Sequence, residues 1–236
     1  MRRTPRVGNG SLTESAPGNG LVAASSPRSQ AAEAYRTLRT NIQFSSLDRD
    51  IRTLLVTSPD ANEGKTTILA NLAIMFTESG RRVIVVDCDL RRPRLHALFE
   101  LRESPGMTTM VLDENAEAPL QATMIPHLWV LASGPLPPNP SELLASERMV
   151  RIIARLADQA DMVLFDSPPV GVVSDAAVLA TRVDGVLLVV DAGRTRRDLA
   201  RQAKEQLDRV GARLLGTVLN NVKPERRAYD YHEGGR

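Results

Sequence analysis

Hydrophobic positions along this chain gather into short runs, set between longer stretches where polar and apolar residues mix. The runs are Thr53–Val56, Val83–Val86, Leu128–Leu131, Met162–Phe165, Val186–Val190 and Leu214–Leu219. Most are apolar at consecutive rather than alternate positions, the pattern of strands buried on both faces. Between them, Thr66–Ser79, Ser146–Gln159, Asp175–Arg182 and Thr195–Val210 read as helices. Strand and helix in alternation predict an α/β fold: a doubly wound, mostly parallel sheet with helices on both faces.

The flanks read differently. Residues 1–28 hold four glycines, three prolines and several serines with no hydrophobic period. Such a composition buries too little surface to offset the entropy of ordering, so a disordered arm is predicted. Ser29–Ile42 has good helix formers and neither Gly nor Pro, which predicts a helix opening the folded domain, 29–223. Residues 134–140, G-P-L-P-P-N-P, predict an extended loop. A polar tail, 224–236, closes the chain, and no internal repeat is present.

A chain of 236 residues accommodates one domain with tails. Hydrophobic residues at 42% and charged residues at 25% are ordinary for a globular protein, but aromatics at 3% require an aliphatic core. No apolar run exceeds five residues, which predicts neither a membrane-spanning helix nor a secretory signal core. A single cysteine, Cys88, excludes a disulfide framework and a Cys-based zinc site, and a reducing cytoplasm is the simplest location. Thirty cations against twenty-eight anions predict no nucleic-acid partner. Only three of the cations are lysines (Lys65, Lys204 and Lys223), so the position of each is informative.

Lys65 stands at a strand–helix junction, in L-L-V-T-S-P-D-A-N-E-G-K-T-T. Unpaired N–H groups at a helix start favour an anion, and Gly64 would let phosphate approach the backbone. Lys65 would reach the β- and γ-phosphates, and the Thr66 hydroxyl would ligate Mg²⁺. The strict G-x-x-x-x-G-K-[ST] pattern fails at Pro59, and Asn62, tolerant of left-handed backbone, is the candidate to supply the turn. The second run ends in D-C-D-L-R-R-P. Asp87 and Asp89, two apart, share a face where ligands bind in open α/β sheets, and their mutual repulsion calls for a cation. The fourth run ends in Asp166, a third acid at the same edge.

With these motifs in place the sequence resembles the bacterial protein-tyrosine kinases (BY-kinases) of polysaccharide export, relatives of the chromosome-partition and division-site P-loop ATPases. The resemblance runs from about Ser29 to the C-terminus. It rests on E-x-x-R-x-x-R at Glu33, Arg36 and Arg39, and on the altered Walker A loop Asn62-Glu63-Gly64-Lys65-Thr66-Thr67. It also rests on the Walker A′ motif D-x-D-x-R at Asp87, Asp89 and Arg91, on Asp166-Ser167-Pro168-Pro169, and on P-P-N-P-S-E-L-L-A-S at 137–146.

The resemblance implies a P-loop NTPase fold and a Mg-ATP-dependent tyrosine kinase that phosphorylates its own tail, at Tyr229 and Tyr231. It implies that residues 62–67 hold ATP, that Thr66, Asp89 and Asp166 organise Mg²⁺, and that Asp87 orients or deprotonates the tyrosine hydroxyl. Asn220 would read the adenine edge; a polar strand end is the plain alternative. Glu33, Arg36 and Arg39 would dock on a neighbouring subunit, in a ring. As an intramolecular feature alone, an exposed i, i+3 pair is worth only about 0.2–0.5 kcal/mol. A separate membrane adaptor of the polysaccharide co-polymerase type would recruit this cytoplasmic chain to the inner face of the membrane.

Two other functions fit the same motifs. One is a partition or division-site ATPase switch, although neither an amphipathic C-terminal helix nor a basic stripe is visible. The other is a nucleotide-binding regulator of the same machinery that transfers no phosphate. The departures at Pro59 and Asn62 and the presence of only two tail tyrosines leave it open.

Overall fold

The computed structural model describes residues 20–45, 50–113 and 116–222. Seven strands form one sheet: β1 (Thr53–Thr57), β2 (Val83–Asp87), β3 (Gln121–Ala122), β4 (Leu128–Leu131), β5 (Met162–Asp166), β6 (Gly185–Asp191) and β7 (Leu214–Asn220). Their order is β3-β4-β2-β5-β1-β6-β7, parallel throughout except for β3 against β4. The helices are α1 (Val22–Ser25), α2 (Gln30–Phe44), α3 (Lys65–Glu78), α4 (Leu95–Leu98), α5 (Met107–Leu112), α6 (Pro140–Ala145), α7 (Glu147–Gln159), α8 (Asp175–Ala180) and α9 (Arg197–Arg209).

Consecutive apolar residues on the central strands feed two aliphatic cores, one on each face. Leu55, Ile84, Val86 and Phe165 point toward α5 to α9, while Leu54, Val56, Val85 and Leu164 point toward α1 to α4. Each strand residue alternates between faces, so both faces need apolar side chains and the run has no polar break. α3 lies between the sheet and α1 and α2 and is buried from Ile68 to Thr77. In β2 and β5 the last residues, Asp87 and Asp166, are direct partners in the register. The apolar runs therefore deliver two carboxylates side by side at the carboxyl edge of the sheet.

The predicted elements are present, with shifts of one or two residues at their ends, and the structure adds others. Gly20–Arg28, read as part of a disordered arm, is ordered: Ala23 is buried, and the buried Asn71 side chain accepts from Ala23 N (2.8 Å) and donates to Gly20 O (2.9 Å). One buried amide, invisible in local composition, fixes that segment on α3. The predicted loop 134–140 ends in a helix, because Pro140 occupies the first turn of α6, where its missing N–H costs nothing. The two-residue strand β3 and the short helices α4 and α5 fall below the length at which periodicity can show.

Candidate active site

The Walker loop joins β1 to α3. Asn62 (φ 61°) and Gly64 (φ 87°) both take left-handed backbone, so Asn62 supplies the turn expected of it. Gly64 also packs closely against a side chain. A Cβ there would lie 2.3 Å from Asn220 Nδ2, which donates to Glu63 O at 2.9 Å. The Pro59 carbonyl packs on Gly171, where a Cβ would lie 2.3 Å from it. Asn62, Gly64, Lys65, Thr66 and Thr67 form one wall of a cavity of about 610 Å³, with Arg94, Ala97 and Leu98 opposite. That volume suits a nucleotide.

The acids meet the loop from below. Lys65 Nζ lies 3.0 Å from Asp89 Oδ2 and 3.7 Å from Asp166 Oδ1, and Thr66 Oγ1 donates to Asp166 Oδ2 at 2.6 Å. Asp87 is fully buried; its Oδ2 accepts from Arg94 N (3.0 Å) and Leu95 N (2.9 Å), and its Oδ1 from Asp89 N (3.2 Å). Burial, then the neighbouring Asp166 charge, push the Asp87 carboxyl up to about 7 against the pull of those N–H groups. Burial raises Asp166 too, although Lys65 and Thr66 act the other way. For Lys65, burial disfavours the ammonium, but Asp166 and Asp89 outweigh it and the net shift is upward. The lysine stays charged while an adjacent carboxyl titrates near neutrality.

The residues fit Mg²⁺ as a shared ligand. Asp166 Oδ1 is buried and has no hydrogen-bond partner, a free lone pair beside Thr66. Among the described residues no three acidic, histidine or cysteine side chains gather closely enough to hold a cation themselves. Thr66, Asp89 and Asp166 therefore suit an ion whose shell is completed by phosphate and water, the usual arrangement for Mg²⁺.

Other expected residues fall out as follows. Asn220 reaches the Walker loop, and one of its N–H bonds is spent on the Glu63 carbonyl. Glu63 itself turns inward: its carboxylate accepts from Thr195 Oγ1 at 2.7 Å and is raised by burial. Of the helix motif, Arg36 pairs with Glu33 and reaches Glu78 (3.4 Å), and Arg39 donates to Met75 O (3.0 Å), so both arginines serve the contact of α2 with α3 inside the subunit. Tyr229 and Tyr231 lie outside the described residues. Sequence reasoning missed Arg94 and Leu98 in the cavity wall and Thr195 under the loop. These have no motif spacing, and only the sheet order brings them there.

Comparison with known proteins agrees with this architecture. Residues 54–234 match the family model described as the CobQ/CobB/MinD/ParA nucleotide binding domain. The tyrosine-protein kinase YwqD of Bacillus subtilis is 41% identical over 214 residues, covering 90% of each chain. The tyrosine-protein kinase Wzc of Salmonella typhi is 32% identical over 216 residues, which is 91% of this chain but 30% of that protein. The solved kinase domain of the Escherichia coli tyrosine kinase Etk superposes with a TM-score of 0.83 at 32% identity, covering 89% of this chain and 84% of that one. With a Walker loop that closes over paired strand-end aspartates, this chain belongs to the bacterial tyrosine-protein kinases, within the CobQ/CobB/MinD/ParA nucleotide-binding family.

Proposed function

We propose that this chain binds Mg-ATP between the Walker loop and α4 and transfers the γ-phosphoryl group to tyrosines of its own tail, Tyr229 and Tyr231. The observation that carries the reading is Asp87. It is a buried carboxyl pushed up to about 7, one strand from Asp166 and two residues before Asp89, which pairs with Lys65. Bound Mg²⁺ would neutralise phosphate charge, held through Thr66, Asp89 and Asp166. Lys65 and the N–H groups at the start of α3 hold the phosphates. Asp87 takes the phenolic proton as the tyrosine oxygen bonds to the γ-phosphorus and the bond to the ADP oxygen breaks. Positioning and charge supply most of the catalysis, and a base at the acceptor supplies the rest.

The same reading gives the chain a partner. Its match covers under a third of Wzc, a longer protein, and no helix among the described residues is long and apolar enough to cross a membrane. A membrane adaptor of the polysaccharide co-polymerase type would be that partner, and subunits would assemble around it. The test is incubation with labelled ATP and Mg²⁺, with and without an adaptor fragment, followed by phosphotyrosine detection and site mapping. Label on Tyr229 and Tyr231, lost in the double Phe variant, supports the reading. Label on Tyr35, or on serine or threonine, overturns it.

A further inference from the structure

Arg91 ends the Walker A′ motif, yet it touches neither the phosphate cavity nor the two aspartates before it. Its guanidinium instead reaches across to α8. Nε donates to Asp175 Oδ2 at 2.9 Å and Nη2 to Asp175 Oδ1 at 3.2 Å, a two-point ion pair. Asp175 is wholly buried, and its Oδ1 also accepts from Ser141 Oγ at the start of α6. Arg91 Nη2 reaches the same Ser141 hydroxyl at 3.3 Å. Two separate motifs of the sequence, D-x-D-x-R and P-P-N-P-S, therefore converge on the buried carboxylate that begins α8.

What this junction holds is the segment from Asp89 to Leu95. That segment folds back around the two site carboxylates: Arg92 N donates to Asp89 Oδ1 at 3.1 Å, and Arg94 N and Leu95 N donate to Asp87 Oδ2. Arg91 immediately precedes these donors. A buried Asp175 needs a cation, a planar guanidinium meets a carboxylate in one orientation, and so the backbone on either side of Arg91 is fixed. Lysine, with one point charge, would not fix it in the same way.

We propose that Arg91 is a positioning residue for phosphoryl transfer: clamped by Asp175 and Ser141, it fixes the loop whose N–H groups orient Asp87 and Asp89. The proposal rests on the roles given to those aspartates above, and its test keeps the two apart. The full chain and the variants Arg91→Met, Arg91→Lys and Ser141→Ala are compared in three measurements. These are affinity for a fluorescent ATP analogue, the kcat and KM for ATP of transfer to a synthetic peptide of residues 224–236, and amide hydrogen exchange at Arg92, Arg94 and Leu95.

Arg91→Met should lower kcat at least tenfold and leave nucleotide affinity and KM for ATP within about threefold. It should also speed exchange at the three amides. Arg91→Lys should fall between Met and the parent, and Ser141→Ala, which removes only the hydroxyl, should give the smallest change in the same direction. Should Arg91→Met fail to fold, Arg91→Lys and Ser141→Ala decide by the same measurements. A parent chain that transfers nothing to the peptide would sink the tail-kinase reading, and the amide exchange would still judge the clamp. Unchanged kcat and unchanged amide exchange in the variants, even with a lowered melting temperature, would reduce Arg91 to a fold contact and overturn the proposal.

Discussion

At the amino-terminal edge of the sheet, two half-buried aspartates tie neighbouring strands together, whereas at the carboxyl edge two fully buried ones stand side by side. Asp184, just before β6, accepts from Arg52 N (3.0 Å), Thr53 N (2.9 Å) and Thr53 Oγ1 (2.8 Å). Asp161, just before β5, accepts from Arg82 through its backbone N, Nε and Nη2. Across the sheet, Asp166 Oδ1 is buried without a hydrogen bond, 3.7 Å from Lys65 Nζ, and burial and the Asp166 charge push Asp87 up to about 7. The same residue type thus does opposite work at the two ends. One edge spends its carboxylates on stability, and the other buries two of them together, where a metal ion or a proton offsets their repulsion.

The comparison breaks hardest at Lys65. Lys65→Met removes the charge that the phosphates need, and Mg-ATP affinity should fall at least a hundredfold in titration calorimetry. The fold should survive, because burial already raises Asp166, which can take up a proton when the Lys65 charge is gone. Retained affinity would show that the loop is no phosphate site. Asp87→Asn comes next: transfer should drop by about 10²–10⁴, the usual worth of a positioned base, while affinity for Mg-ATP stays within about threefold. Transfer at the parent rate would remove Asp87 from the mechanism.

The carboxyl edge is largely legible in the sequence, and the amino edge is not. Lys65, Asp87, Asp89 and Asp166 follow apolar runs, so a strand prediction places them at one edge without further knowledge. Asn62 was readable because its tolerance of left-handed backbone is local. Asp184 and Asp161 also precede runs, but their partners, Arg52, Thr53 and Arg82, are set by which strand neighbours which. β1 pairs with β6 and β5, an order no local pattern gives. The same holds for Asn71 under α1, Glu63 with Thr195, and Arg91 with Asp175: each is a long-range polar contact. Glu33, Arg36 and Arg39 show the converse. Their spacing places them on one helix, and the side chains of both arginines reach α3, a neighbour that spacing cannot name; docking of this face on a second subunit is a separate proposal.

Asp184→Ala should sharpen the contrast from the stable side. It deletes an acceptor shared by two backbone N–H groups and a hydroxyl at the joint between β1 and β6. Charge-assisted hydrogen bonds of this kind are worth about 1.5–3 kcal/mol each at most, and water can replace part of them here, so a total loss of about 2–3 kcal/mol is expected. For a domain of this size that corresponds to a melting point lower by roughly 4–12 °C. The kcat of the folded variant should stay within twofold. A larger fall in kcat than in stability would mean that the two edges are coupled through β1.

The smallest effect belongs to Asp161, and its pH dependence identifies it. The side-chain bonds to Arg82, followed by the backbone N–H of the same residue, hold this carboxyl down at about 2. A folded-state value below that of the unfolded chain means the unfolded chain takes up protons first, so stability falls as the pH falls from about 4 toward 2. Above that window the contribution is fully present. Both side chains are substantially exposed, at 52% for Arg82 and 42% for Asp161, so solvent and salt screen the pair. Asp161→Asn should therefore lower the melting temperature by only about 1–3 °C at pH 7 and low salt. The difference should shrink in high salt and close as the acid range is entered, where the parent loses the same charge. Parallel melts of parent and variant across that range decide the matter. A gap that stays constant with pH would show that the backbone geometry at Arg82, which asparagine can still satisfy in part, matters there more than charge.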